Sequence, residues 1–409
     1  MKFKIRALDI KNRLEGLKEY NKVGATPAGS RIMIEKIFPI SLKIRGINPL
    51  GANILKQEML ARGGDVVTSR NTLLETGSKT EIKGKSDVII QGTIKTIESL
   101  TDKIKEQPFG LKELSNELKE YLDRLDKNAK RKELVVGKKK FNPDKDILIM
   151  GILNITPDSF YDGGFYFEKD KALNRIDTIV KEGADIIDVG GISTRPGSLP
   201  VSSEEEIKRV VPVIEYIKKN YDILISADTY RSGVARKAID AGAHIINDIS
   251  GLSMDSQMVK VIAEKDVSVV IMHIKGTPEN MQKNPEYENV MDEIYDYLEE
   301  KTRIATGSGI KAGKIIIDPG IGFGKTLEHN LEILNKVKEL TALGFPVLIG
   351  ASRKSFIGGI LDLPVEERLE GSIAAAVCSA VNGASILRVH DVKETLRAVK
   401  VARNIINGF

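Results

Sequence analysis

Residues 150–164 read MGILNITPDSFYDGG, an apolar run that stops abruptly in polar, turn-forming residues. The apolar run begins at Ile147 and predicts a buried β-strand that ends at Leu153. Pro157 and the pair Gly163-Gly164 interrupt regular structure, so the residues between them are expected on a loop at the carboxyl end of this strand. The polar side chains that such a loop displays are Asn154, Asp158, Ser159 and Asp162.

Short apolar runs rich in β-branched residues recur from residue 146 onward, with helical segments between them. The eight runs are 147–153, 184–189, 223–227, 243–247, 267–272, 314–317, 346–349 and 385–389. Eight strands that alternate with helices over about 260 residues are typical of a (β/α)8 TIM barrel, in which both faces of each strand are covered. An open doubly wound sheet would prefer a glycine-rich dinucleotide turn after its first strand, and the sequence has none there. We therefore predict a TIM barrel over residues 146–409.

Polar or ionisable side chains follow every predicted strand of this barrel. They include, one per strand, Asn154, Arg195, Asp228, Asn247, His273, Asp318, Lys354 and Arg388. The carboxyl ends of all barrel strands form one rim, and the active sites of this fold lie there. The sequence therefore predicts a single site assembled from residues that are far apart in the chain.

The predicted rim carries groups for two kinds of ligand. Its ring-binding candidates are two carboxylates, an amide and an ammonium: Asp228, Asp318, Asn247 and Lys354. These groups match a heterocycle with an amino-pyrimidinone edge, because a carboxylate accepts paired N–H bonds from such an edge. Arg195, Arg388 and His390 suit a polyanion, because a guanidinium group binds phosphate oxygens through two hydrogen bonds. The side-chain oxygen of Asn154 is a hard ligand that suits magnesium carried in by a diphosphate.

Five separated motifs resemble those of dihydropteroate synthase, in the order and spacing of that family. They are NITPDSF at 154–160, STRPG at 193–197, DPGIGFGK at 318–325, SRK at 352–354 and RVH at 388–390. The resemblance covers residues 146–408 and none of the first 145 residues. One departure is Ile192, where the family usually has glutamate before STRPG. This change leaves the expected ring and phosphate contacts in place.

The resemblance implies a role for each matching residue. The pterin ring of 6-hydroxymethyl-7,8-dihydropterin diphosphate would be held by Asp228, Asn247, Asp318 and Lys354. Its diphosphate would be held by Thr194, Arg195, Arg388, His390 and a magnesium ion at Asn154. The reacting carbon would be shielded by Phe160 and Asp162, and the arylamine pocket would be lined by Thr194, Pro196, Phe323 and Ser355. The residues expected to act in the chemical step are Asp162, Arg195, Lys354, Arg388 and His390.

The resemblance further implies the reaction and the partners. In the family the diphosphate leaves first, and the nitrogen of 4-aminobenzoate captures the remaining pterin methyl cation, a step of folate biosynthesis carried out by homodimers. A ribosylated aminobenzene phosphate, the amine of methanopterin biosynthesis, is an alternative second substrate. A pterin-dependent methyltransferase that feeds a corrinoid shares the ring-binding acids but would not need Arg195, Arg388 and His390 for a diphosphate. A non-catalytic pterin-binding scaffold is a further alternative, and the complete set of motifs argues against it.

Residues 1–130 read as a mixed α/β domain of unknown function, and 131–145 as a linker. Strands are predicted at 3–10, 32–38 and 41–47, and a leucine stripe at 111–125 predicts a helix that docks on a neighbouring domain. Residues 1–145 carry 31 Lys and Arg against 19 Asp and Glu, a net charge of +12, whereas residues 146–409 carry 31 against 38, or −7. The lysines are interleaved with acids, so a solvated basic surface is favoured over nucleic-acid binding.

The composition excludes several other classes of protein. Cys378 is the single cysteine, so an intramolecular disulfide and a multi-thiolate metal site are excluded. No apolar run approaches the roughly 18 residues of a membrane helix, and the N-terminus lacks the apolar core of a signal peptide. We therefore expect a cytoplasmic protein with no membrane partner.

Overall fold

The computed structural model describes residues 3–10, 12–69, 85–125, 133–155, 166–192 and 201–407 of the chain. It divides into two compact units, Met1–Ala129 and Lys130–Phe409. Among the helices in these described ranges, none is both long enough and apolar enough to cross a membrane.

The first unit combines helices with a three-stranded antiparallel sheet in the order β1-β3-β2. Its strands are β1 (Pro39–Ile47), β2 (Asp65–Thr68) and β3 (Ser86–Thr93), and its described helices are α1 (Arg13–Lys22), α2 (Pro27–Ile34), α3 (Pro49–Leu60), α4 (Ile94–Ile104) and α5 (Leu111–Leu125). One core joins the sheet to α3, α4 and α5, with Leu55, Ile90 and Leu100 fully buried in it. Four leucines of the α5 stripe lie in this same core, namely Leu111, Leu114, Leu118 and Leu122. These four leucines therefore pack within their own unit, where the sequence predicts docking on a neighbouring domain.

Two of the strand predictions for the first unit, at residues 3–10 and 32–38, are wrong. Residues 3–10 have no regular secondary structure, and Phe3 is exposed. Residues 32–34 belong to α2, which begins where the side chain of Thr26 caps the helix and Pro27 occupies its first turn. A capping threonine followed by proline presets the backbone for a helix, and this local signal outweighs the β-branched residues that suggested a strand.

The second unit begins with a β-hairpin, in the stretch that the sequence predicts to be a linker. Its antiparallel strands are β4 (Leu134–Val136) and β5 (Lys139–Phe141), and Gly137 between them has a φ of 57°. Glycine adopts this left-handed conformation without a steric penalty. Leu134 and Val136 are buried in one core with barrel residues. The hairpin is therefore part of the barrel unit and not a free connection.

Eight parallel strands with helices around them confirm the predicted TIM barrel. The sheet runs in the order β11-β10-β9-β8-β7-β6-β13-β12, and a bridge between Ile317 and Val347 joins its two ends. The strands are β6 (Leu148–Asn154), β7 (Ile186–Gly190), β8 (Leu224–Asp228), β9 (Ile245–Asp248), β10 (Ser268–Met272), β11 (Ile315–Asp318), β12 (Leu348–Ile349) and β13 (Ile386–Val389). The described helices are α6 (Tyr166–Lys181), α7 (Ser203–Asn220), α8 (Ser232–Ala241), α9 (Met258–Lys265), α10 (Val290–Gly307), α11 (Leu327–Asn335), α12 (Val337–Thr341), α13 (Ser355–Leu361), α14 (Leu369–Val381) and α15 (Val392–Asn407).

The inward-facing side chains of the barrel form an apolar floor below a polar mouth. The floor combines the hairpin with Leu148, Met150, Ile186, Leu224, Ile245, Val270, Ile316, Leu348 and Ile386. Side chains alternate between the two faces of a strand, so the next inward positions lie two residues further along. Those positions include Asp188, Ser226, Asn247, Asp318 and Arg388. The floor thus closes the amino-terminal end of the barrel and leaves polar groups at the carboxyl end.

Candidate active site at the barrel mouth

A cavity of about 1230 Å³ occupies the carboxyl end of the barrel. All eight strands supply lining residues at or next to their ends, namely Asn154, Gly190, Asp228, Asn247, Met272, Asp318, Gly350 and Arg388. The side chains that the sequence assigns to separate strands therefore meet around one space.

Eight of the predicted site residues line this cavity. They are Asn154, Asp228, Asn247, Asp318, Phe323, Lys354, Arg388 and His390. Ser355 is the first residue of α13, is exposed and is not among the lining residues. The remaining predicted site residues, Asp162, Thr194, Arg195 and Pro196, lie outside the described residues, as does Phe160. Their roles stay predictions from the family resemblance.

Arg388 is held between two carboxylates of neighbouring strands. Its Nε donates to Oδ2 of Asp188 at 2.6 Å, and a terminal nitrogen donates to Oδ2 of Asp228 at 2.7 Å. The same oxygen of Asp188, a fully buried residue, accepts from Nδ2 of Asn247 at 3.1 Å. Burial opposes the charge of Arg388, but Asp188 and Asp228 outweigh it and hold the pKa of the guanidinium above its usual value. Arg388, a permanent cation, is therefore bonded directly to the ring-binding residue Asp228 and is linked through Asp188 to Asn247.

Burial shifts the pKa values of the carboxylates that face the cavity. It raises the pKa of Asp318 to about 6, although the backbone N–H of Gly320 donates to its Oδ1 at 2.7 Å. It raises the pKa of Asp228 to about 7, with Arg388 acting in the opposite direction. Hydrogen bonds to the ionised form would lower both pKa values again. Both carboxylates are therefore suited to accept N–H bonds from a ligand.

Lys354 and Phe323 form another part of the cavity wall. Nζ of Lys354 lies 4.1 Å from the centre of the Phe323 ring. Burial, followed by the charge of Arg388, lowers the pKa of Lys354 to about 8. The loop that carries Phe323 requires glycine at Gly320, where φ is 71° and an added Cβ would collide with the carbonyl oxygen of His273. The glycines of the DPGIGFGK motif thus allow the close approach that brings Phe323 to Lys354.

Lys325, the last residue of that motif, lies beneath the loop and does not line the cavity. Its Nζ lies 2.9 Å from Nδ1 of His273 and donates to the carbonyl oxygen of Phe323 at 2.9 Å. Burial lowers the pKa of Lys325 to about 7. Lys325 therefore supports the loop from below and is not placed to touch a phosphate in the cavity.

His390 and Ser352 form a hydrogen-bonded pair at the rim. Nδ1 of His390 lies 3.0 Å from Oγ of Ser352, which also accepts from the backbone N–H of His390 at 3.2 Å. Burial, and then the charge of Arg388, lowers the pKa of His390 to about 4, so the ring is neutral near pH 7. The hydroxyl proton of Ser352 can point at Nδ1, which places the proton of the neutral ring on Nε2. His390 can therefore donate a hydrogen bond from Nε2.

Two arginines that line the cavity were not identified from the sequence. Arg175, in the middle of α6, donates to the carbonyl oxygen of His390. Arg209 of α7 donates to Glu205 at 2.9 Å and to the carbonyl oxygen of Gly191 at 3.1 Å. In the sequence each resembles an ordinary charged residue on an exposed helix face. No local pattern distinguishes a helical arginine that turns toward a barrel mouth.

The space beside Asn154 fits a magnesium ion that arrives with its own ligands. In the described ranges, no group of three or more His, Cys, Asp or Glu side chains could hold a metal ion. Asn154 is exposed at the end of β6, and its Oδ1 lies 3.5 Å from where a Cβ would stand at Gly190. The missing side chain at Gly190 leaves room between Asn154 and Asp228. One neutral oxygen beside open space suits magnesium, which commonly keeps water and phosphate oxygens as its other ligands.

Comparison with known proteins identifies the family of the second unit. A family model described as pterin binding enzyme matches residues 150–390. The dihydropteroate synthase of Clostridium beijerinckii is 49% identical over 272 residues, which are 66% of this chain and 98% of that relative. This chain belongs to the dihydropteroate synthase family. It is a transferase of folate biosynthesis, and the resemblance seen in its motifs is confirmed.

Solved structures of the same family share the barrel. Dihydropteroate synthase from Clostridium difficile, crystallised in the presence of pteroic acid, is 45% identical with a TM-score of 0.61 and covers 65% of this chain and 98% of that one. The enzyme from Xanthomonas albilineans with 4-aminobenzoic acid is 38% identical with a TM-score of 0.63 and covers 68% of this chain and 99% of that one. Both matches cover nearly the whole of the solved chain and about two thirds of this chain.

A relative from Haloferax volcanii matches a longer part of the chain. It is described as a probable bifunctional folylpolyglutamate synthase/dihydropteroate synthase and is 37% identical over 358 residues, which are 86% of this chain and 41% of that relative. The second unit has 409 − 129 = 280 residues, so a match of this length extends into the first unit. Part of the first unit is therefore similar in sequence to this relative.

Proposed function

We propose that this chain condenses 6-hydroxymethyl-7,8-dihydropterin diphosphate with 4-aminobenzoate and releases diphosphate. The proposal rests on one observation, that ring-binding and anion-binding groups line the same cavity. Arg388 donates to Asp228 at 2.7 Å, and both residues line one cavity together with His390. A pterin-dependent methyltransferase or a non-catalytic binding protein would use the ring-binding acids without an arginine and a histidine for a diphosphate.

The pterin ring would bind at the inner side of the cavity. Asp228 and Asp318 would accept N–H bonds from its amino-pyrimidinone edge, because ionised carboxylates offer acceptors only. Asn247 would contact the same edge, and Lys354 would donate to a ring carbonyl oxygen or nitrogen. Each of these bonds replaces a hydrogen bond to water that is lost on binding.

The diphosphate would bind at the outer side of the cavity. Arg388 would contribute its remaining N–H groups, and His390 would donate from Nε2. Asn154 would hold a magnesium ion through Oδ1, and the bound ion would supply positive charge that offsets the charge of the diphosphate. By family resemblance, Thr194 and Arg195 add hydrogen-bond donors at the same end.

The proposed reaction breaks the bond between the pterin methylene carbon and a diphosphate oxygen, and the leaving diphosphate keeps both electrons. Arg388 and His390 stabilise the developing anion, so the protein needs no nucleophile of its own. The amine nitrogen of 4-aminobenzoate then bonds to the methylene carbon and gives up one proton to solvent water. The walls of the cavity limit the access of water, which would otherwise capture the cation.

The choice of amine rests on the relatives and on the charges around the cavity. We favour 4-aminobenzoate because the curated relatives are dihydropteroate synthases and one solved relative is described with 4-aminobenzoic acid. A ribosylated aminobenzene phosphate, the amine of methanopterin biosynthesis, is a second candidate. Three lining arginines other than Arg388 favour it, because they could receive a phosphate group; they are Arg175, Arg209 and Arg353.

Release of diphosphate by the purified full chain tests the proposal. The chain is incubated with the pterin diphosphate and magnesium, either without amine or with each of the two amines. We expect release that depends on an amine, together with a product whose mass equals that of the joined substrates. Arg388→Ala should abolish release, whereas Arg236→Ala, which removes an exposed ion pair with Glu264, should not change it. Release that no amine increases would contradict the proposal.

A homodimer is the proposed assembly. The family resemblance supports it, and so do large apolar side chains that are exposed on helices α13, α14 and α15. Ile360 is 54% exposed, Val381 51% and Val401 62%. Helix α14 contacts both α13 and α15, and exposed apolar patches often mark protein interfaces. Light scattering should give twice the chain mass of 45.0 kDa, and a mass of one chain would contradict the dimer.

A further inference from the structure

Asp188 is a fully buried carboxylate that lies beneath the cavity and does not line it. In the barrel register it pairs with Ile152 of β6 and with Ser226 of β8. Its Oδ2 accepts from Nε of Arg388 at 2.6 Å and from Nδ2 of Asn247 at 3.1 Å. Asp188 therefore contacts two residues of the proposed binding site without reaching a bound ring itself.

The contact with Asp188 determines which end of the Asn247 amide faces the cavity. A side-chain amide has a donor end and an acceptor end, and rotation by half a turn exchanges them. A carboxylate accepts hydrogen bonds, and the carboxylate of Asp188 is paired with the guanidinium of Arg388. The amide group next to Asp188 must therefore be the NH2 group. Asn247 consequently turns its oxygen, an acceptor, away from Asp188 and toward the cavity that it lines.

We propose that Asp188 is a positioning residue that sets the hydrogen-bonding polarity of the ring pocket. By holding Nδ2 of Asn247 below the cavity, it makes position 247 an acceptor that matches a ring N–H or amino group and rejects a ring carbonyl group. By holding Nε of Arg388, it also turns the other side of the guanidinium toward Asp228. This inference rests on the proposed function, because it assigns the origin of pterin selectivity within that site.

A side chain without an acceptor at position 188 would not impose this order. Oδ2 of Asp188 serves both donors, and Oδ1 is buried with no hydrogen-bond partner in the described part of the chain. An asparagine would keep its oxygen against Nε of Arg388, which only donates, so that oxygen would still accept from Nδ2 of Asn247. The substitution Asp188→Ala removes the acceptor, so the amide of Asn247 can take either orientation.

Two ring ligands distinguish these cases without any turnover. Dissociation constants are measured for pterin and for lumazine, in which a carbonyl group replaces the amino group at ring position 2. We expect the full chain to prefer pterin, and we expect Asp188→Ala to reduce that preference by about tenfold, because the orientation of one buried hydrogen-bonding group is no longer enforced. The matched control is Asp185→Ala, which removes a carboxylate that accepts from the backbone N–H of Ile149 at 2.8 Å, just before β7. It should leave the preference unchanged.

An unchanged preference in folded Asp188→Ala would overturn the inference. If that variant does not fold, Asn247→Asp decides the same point, because its carboxyl group would share a proton with Asp188 and turn an acceptor oxygen toward the cavity in either rotation. The preference for pterin should then persist, whereas a reversal toward lumazine would mean that Asn247 is a donor and that the inference is wrong. The proposed function has a separate test. It would be wrong if the unaltered chain showed no amine-dependent release of diphosphate.

Discussion

Arg388 shows how one residue can join the two halves of the site. Its bond to Asp228 brings an anion-binding group within hydrogen-bonding distance of a ring-binding carboxylate, and its bond to Asp188 links it to Asn247. Removal of one partner from a buried ion pair leaves an uncompensated charge, which destabilises a fold strongly. Binding geometry and stability are therefore linked at this residue. A substitution here would alter both.

The pKa of Asp318 predicts a specific pH dependence of stability. Its pKa is about 6 in the folded chain against a usual value of 3.8, so the folded chain holds the proton more tightly. The resulting stabilisation is complete below pH 3.8 and is lost as the pH rises through 6. Between pH 5 and pH 7 this residue should lower the free energy of unfolding by about 1 kcal/mol. Asp318→Asn cannot ionise and should lack that decrease.

Denaturant titrations of both proteins at the two pH values give the required difference. All other titrating groups are common to the two proteins, so the comparison isolates residue 318. The same pH dependence in both proteins would show that Asp318 is not held protonated by burial.

The hairpin of β4 and β5 is the element that closes the floor of the barrel. Leu134 is 1% exposed and Val136 is 0% exposed, and both lie in the core formed by the lowest inward-facing residues of the strands. Oγ of Ser268 in β10 also donates to the carbonyl oxygen of Val135 at 2.8 Å. Apolar side chains fill the amino-terminal end of the barrel, and the polar side chains lie at its carboxyl end. The hairpin thus contributes to the site without touching it.

Truncation of the hairpin's core residue should destabilise the barrel. We expect Leu134→Ala to lower the free energy of unfolding by about 2–5 kcal/mol, because it removes a buried side chain and leaves a cavity. The matched control is Lys140→Ala on the partner strand, whose exposed pair with Glu133 should contribute little. Chemical denaturation of both variants measures the difference. Equal stability of the two variants would contradict the structural role of the hairpin.

At the scale of the whole molecule, the described cavity belongs to the second unit alone. Its lining residues begin at Ile152 and end at Asp391. The Clostridium beijerinckii relative aligns over 98% of its own length while matching 66% of this chain. Neither observation requires the first unit for the reaction. We therefore expect that the first unit makes no contact with the ring or the diphosphate and has a different role.

Removal of the first unit tests this separation. A chain of residues 130–409 keeps the hairpin and should keep amine-dependent diphosphate release to within about threefold, because a domain with its own core can fold alone. A chain that begins at residue 146 lacks the hairpin and should unfold at lower denaturant concentration. If residues 130–409 fold but no longer bind pterin, the first unit must contribute to the site.

The sequence by itself determined the barrel, its rim and most of the site residues. Strand periodicity, turn residues and short motifs are local properties, so Asp228, Asn247, Asp318, Lys354, Arg388 and His390 could all be found without coordinates. The strand prediction was wrong at residues 32–34, where two local signals disagree. The residues there have strand propensity, but the helix cap at Thr26 determines the structure.

Only the tertiary structure decided how these residues act on one another. The bond from Arg388 to Asp188 joins residues 200 positions apart, and the hydrogen bond that orients Asn247 depends on the same carboxylate. The pKa values near 6 and 7 at Asp318 and Asp228 come from burial. The packing of the hairpin into the floor of the barrel is also visible only in the structure. Burial and contact arise when distant segments of the chain pack together, and no local pattern of residues determines that packing.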